Sequence, residues 1–568
     1  MKRVVILNLS DSRGGAAVVS RRLMHALCDA GVDARMLVAH KGTDDPRVIL
    51  AAPAWRYKIP FLEEAADIYL HNGRCRADIF KVSTARYGLP LSRHPLVAQA
   101  DAVILAWVNQ GFCNFADIRR MARAGKRLIW IMHDMWNLTG ICHHAGDCRA
   151  YERPEGCSHC PMLHSSAGPH DLSARTWAAK AKLYARAGIR FVAVSSWLAE
   201  RCRRSALFAG QELHTIGNAF PVDEFYTERR HSRASLGLPP EGKIILMGAA
   251  RLDDPVKGLP YAVEALNLLA DKLSPRTSAS ERNNNTTPIN QENGNGEKNE
   301  AQSGANVEEE KNNLRNGNNG DGEKNILRDR DNGINKTNGW RSGDNVEEEK
   351  NDLRNGDNSN GEKNSLNNGG NSVDKKNDWI RGEGVKKGLR SGDDGDGERN
   401  GLNNGDNSVE KKNDWRRGDG EKNGLRSGEK EDSDMKVTAV FFGDLRDAHA
   451  LDALRLPHIH LGTVSGDTAR ELYAHADIVL STSLYETLPG TLIEGQAAGA
   501  IPVSFDRGGQ RDIIRSDAEG RLVPFGDTTA LATALASTLT TPADKKALRA
   551  AATRFSSPTI TSHLLPLL

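Results

Sequence analysis

The densest chemistry in this sequence lies in residues 485–499, YETLPGTLIEGQAAG, directly after the apolar run DIVLSTS. Glu486 and Glu494 are eight positions apart, and Pro489 and Gly490 open a helix between them. Glu494 therefore rides on that helix while Glu486 projects from the loop before it. Free backbone N–H groups at Gly490 and Thr491 would face an anion, and a carboxylate one or two turns further along suits the paired hydroxyls of a ribose. Two solvated glutamates are the competing reading. The Gly, Gln, Ala and Ala after Glu494 form an apolar, close-packing face, which favours a carboxylate with a task.

Two further loops offer partners for such an anion. Arg251, Lys257 and Gly258 lie in GAARLDDPVKGL, after the strand-like run KIILMG. Two cations on one loop can clamp a diphosphate, the guanidinium as a fork and the ammonium as a point charge. The alternative is a basic loop paired internally with Asp253 and Asp254. Near the N-terminus, Ser12, Arg13, Gly14 and Gly15 precede an amphipathic helix with Val18, Leu23, Met24 and Leu27 at helical spacing. Glycines there let a backbone approach a ligand, and the helix start presents free N–H groups. The spacing is not Gly-x-Gly-x-x-Gly, so no dinucleotide fingerprint is present, and a plain tight turn stands beside the anion reading.

A fourth cluster has a different chemistry. Cys142, Cys148, Cys157 and Cys160 share a loop with His143, His144 and His159. Four thiolates are the number a tetrahedral structural zinc takes. Free thiols or disulfides are the other reading, and the five residues between Cys142 and Cys148 are a loose spacing for a zinc knuckle.

These residues need rigid platforms. Short β-branched runs at 4–8, 34–39, 102–108, 127–132 and 191–195 alternate with helical stretches, the pattern of a parallel sheet covered by helices. A second set follows at 243–248, 437–442, 458–461, 477–481 and 501–505. The fold expected is α/β, with two Rossmann-like doubly wound domains: residues 1–217, and residues 218–272 together with 436–568. The Pro-containing stretch NAFPVDEFY at 218–226 reads as a hinge between them. In such sheets ligands bind beyond the carboxyl ends of strands, where all three anion-binding candidates fall.

Residues 273–435 are of another material. They are almost all Asn, Gly, Lys, Glu, Asp, Arg and Ser, with Trp340, Trp379 and Trp415 as the only aromatics. NVEEEKN at 306 returns at 345, and NSVDKKNDW at 371 returns as NSVEKKNDW at 407. Each unit offers too little apolar surface to stack as a solenoid, so a disordered, low-complexity insertion is expected. A partner-binding array with each Trp as an anchor is the alternative. Removing the block leaves about 400 residues, the size of two α/β domains.

The whole-chain figures exclude several classes. At 568 residues one compact domain is ruled out. Lys plus Arg number 76 against 74 Asp plus Glu, a net charge of +2, so no nucleic-acid partner is expected. Nothing approaches 18 consecutive apolar residues, and residues 1–10 read as a buried strand and not as a signal segment. A cytoplasmic protein is expected. Basic clusters at 119–127, 201–204 and 229–233 offer peripheral contact with an anionic inner-membrane surface, with solvated helix faces as the alternative.

With these motifs in view, the chain resembles the retaining GT-B glycosyltransferases of family 4, whose signature is Glu, seven residues, Glu in the C-terminal domain. The stretch HDMWNLTGICHHAGDCRAYERPEGCSHCP from His133 is similar to one found in bacterial surface-polysaccharide members related to colanic acid glycosyltransferases. The resemblance covers nearly all of the chain outside the insertion. It implies a hexosyltransferase that moves a sugar, with retention, from a nucleotide-diphosphate donor to a glycan or lipid-linked acceptor. In that pattern Gly14 and Gly15 face the donor phosphates, and Arg251 and Lys257 bind the diphosphate. Pro489, Gly490 and Thr491 complete the donor site, Glu486 holds hydroxyls of the transferred sugar, Glu494 holds the ribose, and His133 lies near the reacting sugar. No cofactor is required for catalysis, and a structural zinc is the one metal in question. Two features depart from the family: Arg251 and Lys257 are six apart instead of five, with Pro255 between them, and the insertion has no counterpart. A scaffold that binds nucleotide without turnover and recruits partners through the repeats is the reading from another class.

Overall fold

The computed structural model describes residues 1–226, 230–274 and 435–568. The tryptophan-bearing repeats lie outside the described residues, as does Arg229 at the head of one basic cluster. Two parallel sheets carry the described chain. The first contains β1 (Arg3–Ser10), β2 (Asp33–His40), β3 (Val48–Leu50), β4 (Ala102–Leu105), β5 (Arg127–Met132), β6 (Arg190–Ala193) and β7 (Glu212–Thr215), in the order β3-β2-β1-β4-β5-β6-β7. The second contains β8 (Lys243–Arg251), β9 (Val437–Asp444), β10 (His458–His460), β11 (Ile478–Ser481), β12 (Ile501–Phe505) and β13 (Arg521–Val523), in the order β10-β9-β8-β11-β12-β13. The expected fold class, α/β with two doubly wound Rossmann-like halves, is borne out.

The central strands are apolar throughout because helices cover both of their faces. All four residues of β4 and of β11 are buried. The helix Gly15–Asp29 buries Leu23, Met24 and Leu27 at its 3.6-residue period, and the helix Leu259–Leu273 buries Leu259, Ala262, Leu266 and Leu269 in the same way. Three strands escape the sequence pattern: β3, β7 and β13. All three lie at sheet edges, and β7, with the sequence ELHT, has no fully buried residue, so none shows a buried-strand signature.

Strand order reverses between β1 and β4 in one sheet and between β8 and β11 in the other. The loops leaving such neighbours diverge to opposite faces and open a crevice at the carboxyl edge. Gly14 follows β1, Lys257 follows β8 and Glu486 follows β11, so both crevices carry candidate residues.

The chain crosses between the halves twice. At the expected hinge, Phe220 N–H donates to the Phe555 carbonyl at 2.8 Å, and Ser557 N–H donates back to the Phe220 carbonyl at 3.0 Å. The closing helix Ser557–Leu564 then packs on the helix Gly15–Asp29 of the first half. Arg127 and Arg190 hold the carbonyls of Leu568 and Leu567. Among the described residues no helix is long and apolar enough to cross a membrane.

The insertion leaves the fold after the helix Leu259–Leu273 and rejoins it before β9, whose first residue, Val437, pairs with Lys243 at the amino edge of the sheet. Leu273 and Met435 pack against the same core, so a few residues can join them on the edge opposite the cleft. Replacing residues 275–434 with a short Gly-Ser linker is expected to leave a folded protein with a cooperative melt and most of its turnover. A folded deletion variant without turnover would contradict this placement.

Candidate active site

The Lys257 turn is docked on the segment that follows β11. Gly258 has a left-handed φ of +67°, and a Cβ there would meet the Thr482 carbonyl oxygen at 2.2 Å, so only glycine fits this approach. The Thr482 hydroxyl donates to the carbonyls of Lys257 (3.1 Å) and Gly258 (2.9 Å), and Leu484 N–H donates to Val256 O at 2.8 Å. Asp254 caps the turn by accepting from Val256 N–H at 3.0 Å. This docking delivers Lys257 Nζ to Glu486 Oε1 at 2.6 Å. Burial opposes the ammonium, but the Glu486 carboxylate outweighs it and holds the lysine pKa above its ordinary value. Glu486 is fixed in turn from its backbone, which bridges to Gly508 and accepts from Gly509 N–H at 3.1 Å.

Arg251 does not follow Lys257 across. It lies 3.5 Å from Asp253 and 3.6 Å from Asp254, the acids of its own loop. Of the two expected diphosphate cations, Lys257 is joined to Glu486 by an ion pair.

On the opposite wall, Gly14 caps the helix Gly15–Asp29 with φ +82°. A Cβ on Gly14 or Gly15 would meet nothing within 4 Å, so the helix start faces open space. The turn is held from beneath: Asp11 accepts from the N–H groups of Gly42 (2.7 Å) and Thr43 (3.0 Å), and Ser10 Oγ accepts from those of Ser12 and Arg13.

Glu494 lies on the helix Gly490–Ala498, as its spacing requires, with Pro489 as the cap residue. Its Oε1 accepts from Arg22 at 2.8 Å, and Tyr473 hydrogen-bonds to it as well. Arg22 comes from the first half and also lies 5.0 Å over the Phe220 ring, on which Gly490 packs. Sequence reasoning missed Arg22 and Tyr473. The pair Arg21–Arg22 carries no signal to tell which side chain turns inward, and Tyr473 reads as an ordinary core aromatic.

His133 ends β5 and is half-buried. Its carbonyl accepts from Thr487 Oγ1 at 2.9 Å, which ties it to the residue after Glu486. Among the described residues its ring hydrogen-bonds neither Glu486 nor Lys257. Burial lowers its pKa to about 4, against which neighbouring Asp134 acts only weakly, so the ring is neutral at pH 7. His144 stands nearer: its ring is 5.1 Å from that of Tyr485, and it feels the charges of both Glu486 and Lys257.

The loop after β5 is irregular and buried in its first residues, where several polar side chains find partners within the first half. Asp134 accepts from Trp107 Nε1 (2.8 Å) and pairs with His143 (2.7 Å), whose other ring nitrogen meets Ser83 Oγ at 3.1 Å. Lys180 donates to the carbonyls of Trp136, Thr139 and Gly140, and burial pulls its pKa down to about 7. None of the eight cysteines is joined in a disulfide. Burial pushes Cys142 up to about 11 and Cys157 up to about 12. The four loop cysteines feel one another, but the one group of three ligand atoms within 4.8 Å among the described residues is Cys75, Asp78 and His164.

Comparison with known proteins bears on the domain that carries Glu486 and Glu494. Residues 440–555 match the family described as glycosyl transferases group 1. An uncharacterized glycosyltransferase of Methanocaldococcus jannaschii is 34% identical over 95 residues, which are 16% of this chain and 24% of that protein. The match thus spans about a quarter of the relative's length. Among solved structures, a glycosyltransferase from Rickettsia africae superposes with a TM-score of 0.49 at 12% identity, covering 100% of this chain and 97% of the other. Anabaena HepE in complex with UDP-glucose gives 0.45 at 12% identity, covering 99% and 98%. The second half of the chain therefore carries a group 1 glycosyl transferase domain.

The depressed His133 pKa has a sign that can be measured. Between pH 6.5 and about 4 the unfolded imidazole takes a proton that the folded one refuses, so stability falls as pH falls through this window. The His133 ring signal is expected to titrate near pH 4 by NMR. A midpoint near 6.5 would contradict the buried, neutral assignment.

Proposed function

We propose that this protein is a glycosyltransferase that moves a sugar from a nucleotide-diphosphate donor to a glycan or lipid-linked acceptor, with retention of configuration, in surface polysaccharide biosynthesis. The observation that carries the reading is the Lys257–Glu486 pair at the crevice of the second sheet, with Glu486 inside residues 440–555 that match glycosyl transferases group 1. The donor diphosphate lies against Lys257 and the open N–H groups of Gly490 and Thr491, with Arg251 reaching it by leaving its loop acids. Gly14 and Gly15 close over it from the first half. Glu486 receives hydroxyls of the transferred sugar, Glu494 the ribose, and the neutral His133 sits on the sugar side.

The transfer breaks the bond between the sugar's anomeric carbon and the diphosphate oxygen and forms one to the acceptor oxygen. The acceptor's proton passes to the departing diphosphate, on the same face of the sugar. Negative charge grows on that diphosphate, and a preformed ammonium and aligned N–H groups stabilise it without reorganising. The step as written uses no metal. A structural zinc on Cys142, Cys148, Cys157 and Cys160 is a separate matter for metal analysis: one zinc per chain supports it, and none removes it.

Incubation with a panel of nucleotide sugars is expected to give donor turnover with at least one. Glu486→Ala is expected to lower that turnover by about a thousandfold or more while the melting temperature stays within a few degrees, since it removes a group acting at the reacting sugar. Full activity in this variant would remove the catalytic assignment, and binding without turnover in the wild type would favour the scaffold reading.

A further inference from the structure

Beside the Lys257–Glu486 pair the cleft widens into a cavity of about 720 Å³, within the usual range for a small-ligand site. It lies between the helix Ser196–Arg204 and the loop 146–149 of the first half and the loop 506–511 of the second. Five arginines line it: Arg149, Arg201, Arg203, Arg507 and Arg511. Three acids line it too; two of them, Asp506 and Asp147, face arginines of the same lining, and Arg149 lies 3.8 Å from Glu152, so Arg201 and Arg203 carry the positive charge left over. Asp506 is taken by Arg511, Glu200 by Arg204 outside the cavity, and Asp147, 3.6 Å from Arg507, points fully into solvent. Among the described residues no carboxylate pairs with Arg201 or Arg203. Arg201 donates to the Tyr151 hydroxyl at 3.0 Å and leaves a buried Nε without an acceptor.

The same cavity has an aromatic wall. Trp197 lies under the Arg201 guanidinium at 4.5 Å and meets the Tyr485 ring edge-on at 6.0 Å. Tyr485 immediately precedes Glu486, and Gly508 of the lining bridges to the Glu486 backbone. A ligand held here therefore lies beside the carboxylate assigned to the transferred sugar. Guanidinium forks match the geometry of phosphate and carboxylate, and aromatic faces suit the C–H face of a sugar ring. A neutral sugar would gain nothing from the guanidinium forks of Arg201 and Arg203, which is a source of discrimination.

We propose that this cavity is the acceptor site and that the acceptor is anionic: a sugar ring against Trp197 with a phosphate or carboxylate beside it on Arg149, Arg201 and Arg203. The proposal rests on the transferase reading and gives its acceptor a chemical class. The anion has two sources, the diphosphate of a lipid-linked glycan or a uronate within the glycan.

The test uses the full-length protein and three probes: N-acetylglucosamine on a short prenyl diphosphate, tetragalacturonate, and neutral maltotetraose. At least one anionic probe is expected to bind about tenfold or more tighter than maltotetraose, and the one that does identifies the source of the anion. Replacing the exposed pair, Arg149→Ala with Arg203→Ala, is expected to weaken that probe about tenfold and leave UDP affinity and the melting temperature unchanged. Arg203→Lys, which keeps the charge and loses the fork, is expected to fall between. The proposal is overturned by equal binding of neutral and anionic probes, by an unaffected double variant, or by a probe that UDP displaces and Lys257→Ala abolishes. Failure of the transferase reading shows separately, as absence of turnover on every nucleotide sugar while the arginine-dependent anion binding persists.

Discussion

The whole arrangement depends on one ion pair that bridges two neighbouring parallel strands where they leave the sheet. Lys257 and Glu486 are 229 residues apart in sequence, yet β8 and β11 are adjacent, and the loops leaving them turn to opposite faces. The pair is partly exposed, so its contribution to folding is small, on the order of 1 kcal/mol or less. Its value lies in position. In the proposed function the ammonium held there meets the donor diphosphate, and the carboxylate meets the hydroxyls of the sugar. The cost of holding them is met by backbone contacts such as Gly258 on Thr482, formed on folding and not on binding.

The two halves are coupled by contacts that touch this centre. Thr487 reaches back to the His133 carbonyl, Tyr485 to the Gly146 carbonyl and Arg22 to Glu494. Each link places a first-half element within a residue or two of a glutamate on the second. The closing helix Ser557–Leu564 and the Phe220–Phe555 pairing supply the mechanical connection, so relative motion of the halves has to bend two chain crossings at once. Arg22 and Tyr473 hold the Glu494 carboxylate in one orientation before any ligand arrives.

Much of this was legible in the residues, and the exceptions have physical reasons. The β-branched runs revealed the central strands because burial on both faces demands apolar side chains at every position, whereas β3, β7 and β13 sit at edges, β3 and β13 only three residues long and β7 largely polar. Pro489 and Gly490 marked the helix start that separates Glu486 from Glu494. Arg251 was the ambiguous case: both its anion partner and its loop acids were visible as alternatives, and the loop acids hold it here. Arg22, Tyr473 and the final crossover had no local signal, since their partners lie hundreds of residues away and only the assembled sheets bring them together.

Titration of the intact protein with a nucleoside diphosphate, in the wild type and in Lys257→Met and Glu486→Gln, tests the central claim most directly. The account predicts that Lys257→Met weakens UDP or GDP binding by about tenfold or more. It also predicts that Glu486→Gln, which frees the ammonium from its carboxylate, leaves that affinity equal or tighter. Unchanged affinity in Lys257→Met would contradict it.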